Sequence, residues 1–354
     1  IKTAKSTELK PWVDNVSDKP LLAEKPAPQK VAKTEKNEVL GTTTWVLKNG
    51  VKVIIKQTDF KADQILFTAY SPGGSSLFSN KDDISADIAA DVVSNSGLGE
   101  LNQIALQKTL SGKIVNVSPD INELTEEMNG SSSPQDLETM LEMVYMYFTQ
   151  PRKDAKAYSS YMSRTKGSLE NKSTNPESAF RDSMIAIMSQ HNYRERPLSL
   201  QNISEASYDR VHYIYRDRFA DASDFTFIFV GNIDLKKTKP LIETYLGGLP
   251  ALNRNETWKD LNINPPIGVV DQIVYKGMEP KSYLYFSFTG SYDYNFKNNL
   301  NLKAMCDMLT IALRENIRED QGGTYGISCW RQVDKYPKPQ YELGIYFGCS
   351  PDNV

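Results

Sequence analysis

The stretch Arg318-Glu-Asp-Gln-Gly-Gly-Thr-Tyr325-Gly sits between a helical and a strand pattern, with a guanidinium and a phenol flanking two glycines. Arginine stays protonated and tyrosine neutral near physiological pH, so both donate hydrogen bonds and neither shuttles protons alone. Their shared chemistry is recognition of a carbonyl oxygen and support of the oxyanion formed from it. Such a pair needs a catalytic partner, and nothing else in the 354 residues supplies one. A helix-end arginine that complements the dipole and an ordinary strand tyrosine would read the same way, so spacing alone leaves both possibilities open. Counting about 100° per residue from Leu302, Leu309, Leu313 and Ile317 face a core while Arg318 points away from it.

Other chemistries lack their parts. A hydrolytic metal site needs about three protein ligands, and the chain has only His191 and His212, in separate segments, with a surface position expected for both. There is no HExxH, no inverted His-x-x-Glu-His, no GxSxG and no Walker loop. Gly247-Gly248 and Gly322-Gly323 read as turns. Cys306 at a core-facing helix position, with Cys329 and Cys349 in strand patterns, reads as a set of buried free thiols and identifies no compartment. A net charge of −3 gives no reason to expect nucleic acid or an anionic membrane as partner. No apolar run reaches the length of a membrane span, and the longest, Phe225 to Val230, suits a buried strand. The opening Ile-Lys-Thr-Ala-Lys reads as the start of an excised fragment.

The elements that would carry the pair form two similar series. Residues 1–39, rich in Lys, Glu, Pro and Ala, read as a linker or an arm laid over a neighbouring domain. A first unit, 40–250, opens with a hairpin about Asn49-Gly50 and a strand from Ile65 to Tyr70. A helix ending at Gly97 and a strand pair over 114–130 follow. Next comes a helix with Ser133 as cap, Pro134 at its first position and a stripe of Leu137, Met140, Leu141, Val144 and Phe148. Helices over roughly 152–171, 176–190 and 205–219, the strand Phe225–Val230 and a helix from Asp234 to Tyr245 complete it. After a linker at 251–266, a second and incomplete unit, 267–354, repeats the order. Its strands are Val269–Tyr275, Tyr283–Phe288, Tyr325–Val333 and Tyr341–Phe347, with a helix from Asn295 to Glu319. The implied class is α+β, with antiparallel-rich sheets covered by helices on one face.

Several phrases in this order resemble the pitrilysin/insulinase family of inverted-motif zinc metallopeptidases. They are Leu47-Lys-Asn-Gly-Val-Lys-Val53, Met128-Asn-Gly-Ser-Ser-Ser-Pro-Gln-Asp-Leu137, Thr149-Gln-Pro-Arg152, Phe229-Val-Gly-Asn-Ile-Asp234 and Tyr245-Leu-Gly-Gly-Leu-Pro250. The resemblance spans about residues 41–354 and implies duplicated α+β units that form half of a clamshell around a peptide. Where that family carries His-x-x-Glu-His, this chain reads Ile88-Ala-Ala-Asp91-Val92. The chain therefore looks like the carboxy-terminal, zinc-free half, with residues 1–39 as the hinge. The family's Arg and Tyr at the same helix-to-strand turn correspond to Arg318 and Tyr325, as substrate-binding and oxyanion-supporting groups. No metal ligand or cofactor is expected in this fragment, with zinc in the missing half. The partners implied are a peptide or unfolded polypeptide and an amino-terminal zinc-bearing half, in the same chain or a separate subunit. Alone, the fragment is expected to cleave nothing; a bacterial periplasm or cell envelope is favoured over the cytoplasm. The alternative is a non-catalytic scaffold subunit of the same fold.

Overall fold

The computed structural model describes residues 21–320 and 324–354, apart from the side chains of Ser173, Glu319, Asp320 and Tyr325. The chain divides into two compact units, residues 1–163 with 204–258, and residues 164–203 with 259–354. The observed architecture is α+β, as the alternation of strand and helix patterns implies.

Unit 1 is built on a seven-stranded sheet. Its strands are β1 (Val31–Asn37), β2 (Thr42–Leu47), β3 (Lys52–Gln57), β4 (Ile65–Pro72), β5 (Val115–Ile121), β6 (Thr125–Ser132) and β7 (Thr226–Gly231), in the order β1-β2-β3-β7-β4-β6-β5. All pairings are antiparallel except β3 with β7. In β4, Ile65, Phe67, Ala69 and Ser71 are buried while Leu66 and Tyr70 are exposed, the alternation of a sheet covered on one face. Helices α1 (Asp83–Asp87), α2 (Ala89–Ser96), α3 (Gln103–Thr109), α4 (Leu137–Thr149), α7 (Tyr208–Arg218) and α8 (Leu235–Tyr245) belong to this unit. The stripe expected on α4 is buried throughout, and Phe148 meets Phe219 and Phe225 edge-on at 5.4 and 5.0 Å.

The β2–β3 hairpin depends on its turn. Gly50 has φ +90°, where a side chain would be strained. The buried Asn49 amide donates to the carbonyls of Leu246, Gly247 and Leu249 at 2.9, 3.2 and 3.3 Å. The same Asn-Gly pair that turns the hairpin therefore also satisfies the loop ending α8.

Three expectations change. Part of the 1–39 segment is a strand, since β1 pairs antiparallel with β2, with one register shift between Val31 and Lys33. Backbone pairing needs no apolar side chains, and the charged residues of β1 suit a sheet edge. Residues 1–20 lie outside the described residues. Second, α4 begins at Leu137 with Asp136 at the cap, not at Ser133-Pro134. β6 runs through Ser132, and Ser133 N–H donates to Ile114 O, so the chain leaves the sheet too late for a helix at Pro134. The Asp136 carboxylate instead accepts from the Ser133 hydroxyl and the Ile114 N–H, tying the connection to β5.

Third, no strand forms at Val269–Tyr275, where Val269, Ile273 and Tyr275 are exposed. The counterpart in unit 1, β3, is held between β2 and β7. Among the described residues of unit 2 no strand takes either place, and an unpaired strand has no ladder to stabilise it.

Unit 2 contains α6 (Pro176–Met188) and a three-stranded antiparallel sheet. Its strands β8 (Ser282–Ser291), β9 (Thr324–Asp334) and β10 (Gln340–Cys349) stand in the order β8-β10-β9. This reproduces the β4-β6-β5 arrangement of unit 1, with one helix, α9 (Phe296–Leu313), in place of three between the first and second strands. The duplication read from the sequence is thus visible in strand order. Helix α5 (Ala155–Ser173) runs across the division between the units.

Candidate functional site

The Arg318–Tyr325 connection is positioned by α9 and β9. Asn295 caps α9, its side chain accepting from Asn298 N–H at 2.9 Å. One face of α9 packs Leu302 and Cys306 against Leu343, with Leu309, Cys329, Val333, Tyr341 and Ile345 closing the cluster. The helix does not continue regularly to Glu319. From Arg314 to Asp320 it widens into a π-helical segment, where i→i+5 bonding alters the angle between successive side chains. Arg318 is exposed within that segment, while Ile317 beside it is partly buried.

Tyr325 is the second residue of β9. Its side chain and the whole of Gln321, Gly322 and Gly323 lie outside the described residues. The start of β9 is anchored by buried Thr324, whose hydroxyl donates to Gly348 O of β10 and accepts from Gly326 N–H at 3.3 Å. Further along, Trp330 fills the space above Gly344, where a Cβ would stand 2.4 Å from the indole, and stacks on Tyr285. Arg318 is therefore exposed at the widened end of the helix, and Tyr325 is the second residue of the strand; both residue types donate hydrogen bonds and neither transfers protons near neutral pH.

Cys306 on α9 and Cys329 on β9 hold their sulfurs 3.1 Å apart. Burial and the neighbouring Cys306 thiol push the Cys329 thiol up to about 12. The three cysteines are free thiols; Cys306 and Cys349 are buried and Cys329 is half-buried.

No group of three His, Cys, Asp or Glu side chains among the described residues could hold a metal ion. The segment where the resemblance would put a zinc motif does not fit one. Ile88, Ala89, Ala90 and Val92 are buried and apolar, and the exposed Asp91 accepts from Tyr161 Oη at 3.1 Å. No step of zinc chemistry is available to these residues.

Two buried groups of unit 1 also have strongly perturbed acidities, and the sequence reading missed them. His191 is exposed, but His212 is buried against the ring of Tyr208, contrary to the surface position expected. Burial, with Lys153 and Arg216 nearby and only partly offset by Asp209, lowers its imidazole to about 4. Glu126 is also buried, 3.7 Å from Arg218, and accepts from Gly74 N–H at 2.7 Å. Its burial outweighs both partners and raises the carboxyl to about 7. Arg218 in turn donates to Asp217 at 2.7 Å and lies 3.1 Å from Glu256.

Spacing held the signal for these groups. Tyr208, His212, Tyr215 and Phe219 recur at helical steps on the inner face of α7, and Val211 precedes Arg218 by seven positions. Glu126 shares its inward register with Met128 and Ser132. These groups are buried and paired with other protein groups, Glu126 with Arg218 and Gly74 and His212 with the Tyr208 ring.

Residues 205–354 match the family model described as the peptidase M16 inactive domain. Over 311 residues the chain is 25% identical to a probable zinc protease PqqL of Haemophilus influenzae, covering 87% of this chain and 33% of that protein. It is 27% identical over 243 residues to a zinc protease PQQL-like protein of Arabidopsis thaliana, covering 68% of this chain and 23% of that one. The chain thus spans about a third or less of the length of these relatives. Among solved structures, the periplasmic protease PqqL from Escherichia coli superposes with a TM-score of 0.82 at 21% identity, over 99% of this chain and 39% of that one. Pitrilysin superposes with a TM-score of 0.60 at 12% identity, over 93% and 36%. No helix among the described residues is long and apolar enough to cross a membrane.

Proposed function

We propose that the chain, whose residues 205–354 match the peptidase M16 inactive domain, is the substrate-holding half of an M16-type zinc endopeptidase. Zinc and the attacking water belong to another half, in the same polypeptide or a partner subunit. This chain contributes Arg318 and Tyr325, which donate hydrogen bonds to the peptide backbone and to the oxyanion that develops on the scissile carbonyl. Placing the donors on a helix end and a strand start fixes them before substrate arrives, so little reorganisation is needed as charge develops.

The observation that carries this reading is the exposed Arg318 in a widened helix end, with Tyr325 second in the strand that is next in the chain. The substrate is an extended or unfolded peptide. The periplasm or cell envelope is the proposed compartment, by analogy with the periplasmic Escherichia coli relative.

The test uses the complete zinc-bearing protein. Arg318→Ala and Tyr325→Phe should each lower kcat by on the order of 100–1000-fold, the usual cost of losing one such donor, with no change in thermal unfolding. Turnover equal to the parent's in both variants overturns the reading. A scaffold role is the second reading, favoured by the apolar residues at 88–92. A partner half that also lacks a zinc motif would select it.

A further inference from the structure

Cys306 and Cys329 stand 23 residues apart in the chain, with their sulfurs 3.1 Å apart in space. The segment they bracket contains the π-helical turn, Arg318, the two glycines and Tyr325. One cysteine lies on α9 and the other on β9, the two elements that present the pair. A disulfide has its sulfurs about 2.05 Å apart, so bonding requires an approach of about 1 Å. Both cysteines belong to the Leu302–Leu343 cluster, which holds α9 against β9.

We propose that Cys306 and Cys329 are a disulfide-forming pair that staples the middle of α9 to β9 and so restrains the segment between them that carries Arg318 and Tyr325. The placement of those two residues at a working site rests on the function proposed above; the bond itself does not. The reaction is thiol–disulfide exchange with a disulfide donor such as oxidised glutathione. The Cys306 and Cys329 thiols lose two protons and two electrons in forming one S–S bond, and the donor's S–S bond is cleaved to two thiols.

The attacking species is a thiolate, and burial keeps Cys329 protonated at neutral pH. Exchange is therefore slow once the unit has packed and fast while the chain is still folding. The bond is set during folding in an oxidising compartment, and it is then slow to reverse because the same packing shields it from reductants. Cys349, also buried, accompanies β10 rather than the α9–β9 contact and takes no part.

The experiment refolds the complete protein with oxidised and reduced glutathione, alkylates all free thiols without reduction, and maps peptides by mass. The expected product is one linked pair of peptides containing Cys306 and Cys329, with Cys349 alkylated. The linked form should show slower amide exchange over residues 314–320 than the dithiothreitol-treated form. Its unfolding equilibrium constant should be on the order of 100-fold smaller, the scale for closing a loop of this length.

Cys349→Ala should leave the linked pair intact, and Cys306→Ala should abolish it. The parent map carries the conclusion even if Cys306→Ala fails to fold. Recovery of Cys306 and Cys329 both alkylated after oxidative refolding, or linkage of either to Cys349, overturns the proposal. A linked pair in a protein whose Arg318→Ala and Tyr325→Phe variants both keep full turnover would instead sustain the staple and overturn the functional reading.

Discussion

His212 and Glu126 should make opposing, nearly cancelling contributions to the pH dependence of unit 1 stability between about 5 and 6.5, and single substitutions should uncover the cancellation. His212 falls from 6.5 to about 4 on folding. Its folded-state pKa lies below the unfolded value, so the stability contribution is full above 6.5 and is lost as pH falls toward 4. At 1.36 kcal/mol per pH unit this amounts to about 3 kcal/mol. Glu126 rises from 4.5 to about 7. An acid whose pKa rises on folding is penalised at high pH, and the penalty of about 3 kcal/mol is relieved as pH falls from 7 toward 4.5.

Where the windows overlap the slopes are opposite, near +1.4 and −1.4 kcal/mol per pH unit, and sum to about zero. His212→Leu removes the first, so stability should climb by about 2 kcal/mol as pH falls from 6.5 to 5. Glu126→Gln removes the second and should reverse the slope; the double variant should be flat again. Urea unfolding at half-unit pH steps, followed by tryptophan fluorescence and far-UV dichroism, reads the slopes independently of any constant offset from repacking. Parent-like pH dependence in both single variants would refute the reasoning.

Two further substitutions test the packing. Asn49→Ala removes the amide that serves the carbonyls at the end of α8, and should destabilise unit 1 by about 2–3 kcal/mol in urea titrations; a cost below about 0.5 kcal/mol would show that water replaces the amide. Gly344→Ala drives a methyl into the Trp330 indole and should cost about 1–3 kcal/mol while changing near-UV dichroism. An unperturbed spectrum would show that the indole moves aside freely.

The elements were legible in the sequence wherever a local rule dictates them. Asn49-Gly50 specifies a tight turn by backbone chemistry alone, and the α4 stripe specifies a buried helix face by its period. The repeated order of strands and helices revealed the duplication because each copy obeys the same local rules. Arg318 and Tyr325 emerged through their place at a helix-to-strand connection and through family resemblance, because an exposed arginine and a strand tyrosine carry no distinguishing local signal.

Tertiary structure decided what depends on partners distant in the chain. β1 exists because β2 offers it an open edge, and Val269–Tyr275 stays irregular for want of strands beside it. Spacing could turn His212 and Glu126 inward, but their perturbed acidities come from the layers that close over them, a desolvation set by tertiary packing. Cys306 and Cys329 look like two unrelated core thiols until α9 folds against β9. Sequence determines periodicity and turn chemistry, which are short-range; pairing, burial and charge are long-range, and they are settled only when the sheet and helices meet.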